Sequence, residues 1–194
     1  YTLHFEKGEN VGGLKKEPYS GKKTGSRFRW KPDLDVFTDI AVPAEYFMDV
    51  MKRQAVVNAG ITFRFRDQRG ASFETVDYLY ENGIQDYVKE LAGENTLTQP
   101  VFWQTERKGR DRDDKPEYKV KLSVSFCFSN RVSLVEHYHN SSWLEHGGSP
   151  EKAMKSAFVS AIDAYLKQQG KYQKNEAKIT FNDVQDALVL VSNN

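Results

Sequence analysis

The clearest pattern of hydrophobic and polar positions lies between residues 118 and 128. The apolar positions of this segment are Tyr118, Val120, Leu122, Val124, Phe126 and Phe128, and they alternate with Lys119, Lys121, Ser123, Ser125 and Cys127. A period of two is typical of a β-strand. It predicts that one face of the strand packs in the core and that the other faces water. Cys127 belongs to the second set, on a face that we expect to be covered or half-exposed.

Shorter runs of apolar and β-branched residues predict further strands. They are Tyr1 to Phe5, Arg27 to Trp30, Ile61 to Phe65, Phe73 to Tyr80, Val101 to Arg107, Arg131 to Glu136 and Leu188 to Val191. We expect the strand from Arg131 to be the neighbour of the strand that ends at Phe128. The intervening run Glu106 to Glu117 carries five acidic and five basic side chains, which is typical of a solvated hairpin tip.

Helical spacing and helix-start signals predict four helices. The first opens at Pro43 and ends near Asn58, the second covers Gly83 to Leu91, and a short turn covers Phe181 to Asp186. The longest follows Gly147, with Ser149 as N-cap and Pro150 at the first helical position. Its predicted buried stripe is Ala153, Ala157, Phe158, Ala161, Ile162, Tyr165 and Leu166. Strands and helices in this order predict an α+β fold, with a candidate domain boundary in the loop Gly93 to Pro100.

Composition and charge narrow the function classes. The formal net charge is +1, so contact with nucleic acid must come from a local basic cluster. The single cysteine excludes an intrachain disulfide and suits a reducing cytoplasm. No apolar run reaches the roughly 18 residues that a membrane span needs. The start at Tyr1, inside a predicted strand and without Met, is typical of a cut through a larger protein.

Three histidines, His137, His139 and His146, lie close together in the sequence. A zinc site would use such ligands, but no further ligand spacing accompanies them, so a polar loop or strand end is favoured and no metal site is predicted. Cys127 would need a neighbouring base to act as a nucleophile, and the sequence places none. The pair Gly147-Gly148 before a helix could hold an anion, although a tight turn is the more usual explanation.

Basic side chains cluster at two places. Arg64, Arg66 and Arg69 form one local surface, and Lys152 and Lys155 form another. Both could contact phosphate, but most such runs are solvated faces. The chemistry of the residues alone therefore predicts an α+β protein without a self-contained active site.

A collinear series of segments resembles the ATPase subunits of bacterial type II DNA topoisomerases, gyrase B and topoisomerase IV B. The segments include Phe5-Glu6-Lys7-Gly8, Thr24-Gly25-Ser26, Pro32-Asp33-Leu34-Asp35-Val36-Phe37, Asn58-Ala59-Gly60-Ile61, Tyr80-Glu81-Asn82-Gly83-Ile84, Gly147-Gly148-Ser149 and Asp183-Val184-Gln185-Asp186-Ala187-Leu188. The ordered series covers nearly the whole chain.

The resemblance implies two parts. Residues 1–80 would be the C-terminal half of a Bergerat-type (GHKL) ATPase domain. Residues 81–194 would be a transducer domain with a left-handed βαβ crossover, lacking its final nucleotide-contacting loop and helices. A left-handed crossover breaks the usual rule for parallel strands, so no hydrophobic pattern could predict it.

The resemblance also implies roles for particular residues. Ser26 matches the second Thr of the family's Thr-Gly-Thr strand, which helps to hold adenine, and Phe28 matches a residue of the pocket floor. Lys155 matches a basic residue that faces the passing DNA, and Lys152 lies beside it. A lysine there attracts phosphate but lacks the bidentate geometry of arginine.

The catalytic Glu, the Mg²⁺-binding Asn and the γ-phosphate loop of the family have no counterpart in this sequence, so we expect no catalytic residue, no bound cofactor and no ATPase activity in this chain alone. The resemblance implies that the full enzyme uses ATP and Mg²⁺, binds DNA, dimerises through its ATPase region and works with a DNA-cleaving partner subunit in the cytoplasm.

Several positions depart from the family's pattern. Pro150 follows Ser149 where the family has His, an extra segment covers roughly Glu136 to Leu144, and Gln185 and Ala187 replace an Arg and a Gly. These departures leave open the choice between gyrase and topoisomerase IV. Two alternatives are another GHKL ATPase, of the mismatch-repair or chaperone type, against which the Pro-Asp and Tyr-Glu-x-Gly-Ile segments argue, and a non-enzymatic nucleic-acid-binding module.

Overall fold

The computed structural model describes residues 1–94 and 96–194; Asn95, in the predicted loop Gly93 to Pro100, lies outside the described residues. The chain forms two compact units, residues 1–43 and residues 44–194. Helices and strands are mixed, as the predicted α+β class requires. The division predicted at Tyr80 stays a prediction.

The first unit contains one short hairpin. Strand β1 (Phe5–Glu6) pairs antiparallel with β2 (Glu9–Asn10). The turn between them has positive φ at Lys7 and Gly8, 49° and 87°, as a tight hairpin turn requires. The predicted strand Arg27 to Trp30 is wrong, because these residues have no strand conformation. A strand needs a neighbour that pairs its backbone and covers its apolar face, and the side chain of Phe28 is 84% exposed.

The second unit begins with a helix and a hairpin that share one core. Helix α1 (Ala44–Val57) starts directly after Pro43, close to the predicted position. Strands β3 (Phe63–Asp67) and β4 (Glu74–Tyr78) form an antiparallel hairpin. Helix α2 (Ile84–Ala92) follows a glycine at φ 57°, Gly83, where a Cβ would press against α1.

A five-stranded mixed sheet forms the centre of this unit. Its strands are β5 (Val101–Gly109), β6 (Tyr118–Phe128), β7 (Leu134–His139), β8 (Ser142–Trp143) and β9 (Leu188–Asn193), in the spatial order β5-β6-β9-β7-β8. Residues 188–192 are fully buried because β9 is the middle strand. The predicted pairing of the strand from Arg131 with β6 is wrong, since β9 lies between β6 and β7.

The second half of β6 is covered on both faces, which corrects the expectation that one face of the strand turns to water; nearer the start of the strand, Lys119 and Lys121 are exposed as expected. Val124 packs with helix α3 (Ser149–Gln168) and the short helix α4 (Asn182–Gln185) on one side. On the other side, Ser125 and Cys127 are 0% exposed, and Cys127 shares a core with Val88 and Ala92 of α2. An alternating pattern describes only the strand, and cannot show that a helix elsewhere in the chain covers its polar face.

Strands β7 and β9 are parallel neighbours, and α3 connects them. This is a βαβ crossover within one sheet, as the resemblance implied. The left hand of the crossover stays a prediction.

Helix α3 differs from the sequence prediction in its cap and in its buried face. The residue before its first turn is Gly148, not Ser149, at φ 122°. The residues that pack on the sheet are Met154, Phe158 and Ile162, whereas Ala153, Ala157, Ala161 and Tyr165 of the predicted stripe are exposed. The larger side chains bury more apolar surface and determine which face turns inward. No helix of the described chain is long and apolar enough to span a membrane.

Candidate functional site

The beginning of α3 brings charged side chains together beside the sheet. Gly147 and Gly148 adopt φ of 68° and 122°, and a Cβ at Gly147 would collide with the carboxylate of Glu151. Glu151 lies in the first turn of α3, where a negative charge is favoured by the positive end of the helix dipole.

Lys155 lies one turn further along the helix. Its Nζ is 2.7 Å from Glu151 Oε1 and 5.4 Å from the ring centroid of Phe181, and its side chain is 43% exposed. The hydrogen bond from Lys155 is the main reason that the pKa of Glu151 is lowered. Lys152 is exposed on the same part of the helix. An anion that binds at Lys155 would have to compete with Glu151.

A cavity of about 290 Å³ lies between this helix start and strand β7, and it is lined in part by His137, Glu151, Lys155 and Gln185. His137 is 4% exposed. Its Nδ1 is 2.7 Å from Ser192 Oγ, while Nε2 has no hydrogen-bond partner among the described residues. Burial lowers the pKa of His137, which favours the neutral form of its ring.

The other histidines lie elsewhere. His139 Nδ1 is 3.1 Å from Asn194 Nδ2, and His146 is exposed in the connection before α3. In the described part of the chain, no three His, Cys, Asp or Glu side chains form a group that could hold a metal ion. Cys127 is completely buried, and burial raises the pKa of its thiol, which opposes the thiolate form that a nucleophile needs.

The arginines of β3 and its turn are paired with carboxylates. Arg64 donates to both oxygens of Asp77 at 2.7 and 2.6 Å. Arg69 donates from Nε to Asp67 Oδ1 at 3.0 Å and from Nη2 to Asp67 Oδ2 at 2.6 Å, and this interaction lowers the pKa of Asp67 to about 2. Two of the three arginines in the predicted basic surface thus support the hairpin.

Ser26 and Phe28 lie in the first unit, where both side chains are exposed. Lys152 and Lys155 belong to the second unit. Sequence reasoning also missed a set of contacting residues in that unit: Arg53, Glu136 and Trp143. The sequence features that could have indicated this set are Glu136, an acidic residue in a predicted strand, and the extra segment that contains Trp143.

The family described as DNA gyrase B matches residues 83–194. The gyrase B protein of Chlamydia muridarum is 27% identical over 193 residues, covering 98% of this chain and 23% of that protein. The topoisomerase 4 B protein of Streptococcus pneumoniae is 25% identical, covering 98% of this chain and 28% of the relative. The chain thus spans about a quarter of the length of the curated relatives it matches.

Solved structures show the same fold. The gyrase B protein from Myxococcus xanthus is similar with a TM-score of 0.64 and 16% identity, covering 98% of this chain and 56% of that chain. The 43K ATPase domain of Thermus thermophilus gyrase B, solved with an aminocoumarin, gives a TM-score of 0.57 and 23% identity, with coverage of 84% and 42%. With more than half of its residues matched by the family model, this chain belongs to the DNA gyrase B family.

Proposed function

We propose that this chain is part of the ATP-hydrolysing subunit of a type II DNA topoisomerase, which couples ATP binding and hydrolysis to closure of a dimer gate and to DNA strand passage. The observation that carries the proposal is the match to the gyrase B family over the sheet, α3 and β9. In the full protein, ATP and Mg²⁺ would be the cofactors. DNA and a DNA-cleaving subunit would be the partners, in the cytoplasm.

The proposal gives the two units different roles. Ser26 and Phe28 of the first unit would contact adenine, with the Ser26 hydroxyl as hydrogen-bonding group and Phe28 as part of the pocket floor. Lys155, assisted by Lys152, would face DNA. The 43% exposure of the Lys155 side chain supports this role, because the ammonium can exchange the Glu151 carboxylate for a phosphate without moving the helix.

The chain offers a matched control for Lys155. Lys167, near the other end of α3, forms the same kind of (i,i+4) ion pair, with Asp163. The experiment compares Lys155→Ala with Lys167→Ala in the full-length parent protein, assembled with its DNA-cleaving partner. It measures ATP hydrolysis with and without DNA, and DNA relaxation.

We expect Lys155→Ala to keep DNA-independent hydrolysis and to lose most DNA-stimulated hydrolysis and strand passage, while Lys167→Ala behaves like the wild type. Equal effects of the two substitutions would contradict the role of Lys155. A parent protein without any partner-dependent DNA activity would contradict the topoisomerase proposal and favour another GHKL ATPase. Salt-sensitive binding of short duplexes without ATP turnover by the parent would instead favour a nucleic-acid-binding module.

A further inference from the structure

We infer that Arg53 of α1 is a positioning residue, held by the β7–β8 hairpin, that transmits movement of α1 to the beginning of α3. The hairpin contributes Glu136 and Trp143, and we call these contacts the α1–hairpin joint. The inference rests on the proposed function, because it assigns to this joint the coupling of ATP turnover to DNA passage.

The hairpin is well suited to hold a side chain in place. Tyr138 pairs with Trp143, and His139 pairs with Ser142. The two turn residues, Asn140 and Ser141, both have positive φ, 45° and 68°, which is the tight turn that matches the twist of the strands.

The turn is also fixed to the end of β9. The Asn140 N–H donates to the Asn194 carbonyl at 2.8 Å, and the Asn194 N–H donates to the Tyr138 carbonyl at 3.1 Å. The hairpin is therefore an extension of the sheet, and it moves with the sheet.

Helix α1 is attached to this hairpin by directional contacts. The guanidinium carbon of Arg53 lies 3.6 Å from the ring centroid of Trp143, a stacking distance for arginine on an aromatic face. Gln54 Nε2 donates to the carbonyl of Ser141 at 3.0 Å. Arg53 Nε donates to Asp49 within the helix at 2.9 Å, which fixes the direction of its side chain.

Glu136 makes the joint sensitive to position. Its side chain is 11% exposed, and its Oε2 accepts a hydrogen bond from the hydroxyl of the fully buried Tyr138 at 3.0 Å. A carboxylate at this depth requires a nearby cation, and Arg53 Nη1 lies 3.8 Å away. Nη1 is buried and has no hydrogen-bond partner in the described chain. A small shift of α1 toward β7 would therefore create a direct charged hydrogen bond between Arg53 and Glu136. A shift in the opposite direction would separate the two charges.

A short stretch of chain connects the α1–hairpin joint to Lys155, the proposed DNA-facing residue. Trp143 ends β8, and only residues 144–148 separate it from the first residue of α3. The Leu144 N–H donates to the carbonyl of His137 at 2.8 Å, and the Gly147 N–H donates to the carbonyl of Leu144 at 3.1 Å. A displacement of the hairpin therefore reaches Glu151 and Lys155 through hydrogen-bonded backbone.

The test uses Trp143→Ala and Arg53→Lys in the full-length parent protein assembled with its DNA-cleaving partner. Arg53→Lys keeps the charge but loses the planar group that stacks on Trp143. We expect DNA-independent ATP hydrolysis to stay within about twofold of the wild type, and strand passages per ATP hydrolysed to fall by about tenfold. Trp143→Phe, which keeps an aromatic face, should restore most of the ratio.

Trp103 provides the control, because it is 51% exposed on the edge strand β5, so Trp103→Ala should keep the wild-type ratio. A wild-type ratio in both test variants would overturn the inference. The inference would also be overturned if ATP hydrolysis and strand passage fell together and Trp143→Phe did not restore them, because the joint would then serve only to stabilise the fold. A parent without partner-dependent DNA activity would instead overturn the proposed function itself.

Discussion

His137 and Cys127 are titratable side chains that the sheet and its two layers of helices remove from water. Their neighbours determine their chemistry more than their residue types do. His137 faces the start of α3 and contacts Ser192 of the middle strand, and Cys127 faces α2. The sequence could place both on strands, but their exposure depends on helices that are distant in the chain.

The stability of the protein should depend on pH through His137. Burial lowers its pKa in the folded state, whereas the unfolded chain titrates near pH 6.5. The unfolded state therefore takes up a proton first as the pH falls below about 6.5, and the free energy of unfolding decreases until the folded pKa is reached, by up to about 1.4 kcal/mol per pH unit.

Urea unfolding of the purified protein at pH 7.5 and pH 5.5 measures this effect. His137→Gln should reduce the difference between the two pH values. His139→Gln, two residues along the same strand and exposed, should leave it unchanged. The same pH dependence in His137→Gln and wild type would show that other groups are responsible.

Cys127 should be protected from thiol reagents in the folded protein. Its side chain is 0% exposed, and burial raises the pKa of its thiol, so both access and thiolate formation oppose the reaction. Labelling at pH 8 with a colorimetric disulfide reagent should be slow in buffer and complete within minutes in denaturant. Rapid stoichiometric labelling of the native protein would contradict the buried placement.

At the scale of elements, the existence of strands and helices could be predicted, but their neighbours could not. The alternation from Tyr118 to Phe128 predicted β6 with its observed bounds. It could not show that α2 covers Cys127 or that β9, sixty residues later, inserts between β6 and β7. The predicted stripe of α3 correctly included Phe158 and Ile162, but it included Ala157 and Ala161 and left out Met154, which has more apolar surface to bury than an alanine.

Strand β9 should contribute most to stability, because it has a neighbour on each side and a helix layer on each face. Leu190 is fully buried, and Leu190→Ala should lower the free energy of unfolding by about 3 kcal/mol. The matched control is Leu97→Ala at a side chain that is 61% exposed, with an expected change of about 0.5 kcal/mol or less. Chemical denaturation measures both values, and similar losses in the two variants would contradict the central position of β9.

At the scale of the whole molecule, the family could be predicted from an ordered series of short motifs. Such motifs keep their order along the chain even when the sequence identity is about a quarter. The electrostatic environment of the proposed site was not predicted from the sequence. Lys155 was predicted because it matches a basic residue of the family, and its (i,i+4) ion pair with Glu151 on the same helix was not considered. Arg53, Glu136 and Trp143 are far apart in sequence, and only the fold brings them together.

Substitutions in the two units should affect different activities of the full protein, ATP binding for the first unit and strand passage for the second. If Ser26 contacts adenine, Ser26→Ala removes a hydrogen bond to the nucleotide, which is worth about 1 kcal/mol and corresponds to about fivefold weaker ATP binding. Strand passage at saturating ATP should then remain close to the wild-type value, since the proposed DNA-facing residues, Lys152 and Lys155, are unchanged. Ser26→Thr keeps the hydroxyl group and should bind ATP like the wild type.

Calorimetric titration of the parent protein with a non-hydrolysable ATP analogue measures the affinity, and DNA relaxation across a range of ATP concentrations measures passage. Unchanged affinity in Ser26→Ala would remove Ser26 from the nucleotide site, and lost passage at saturating ATP would show that the first unit does more than bind the base.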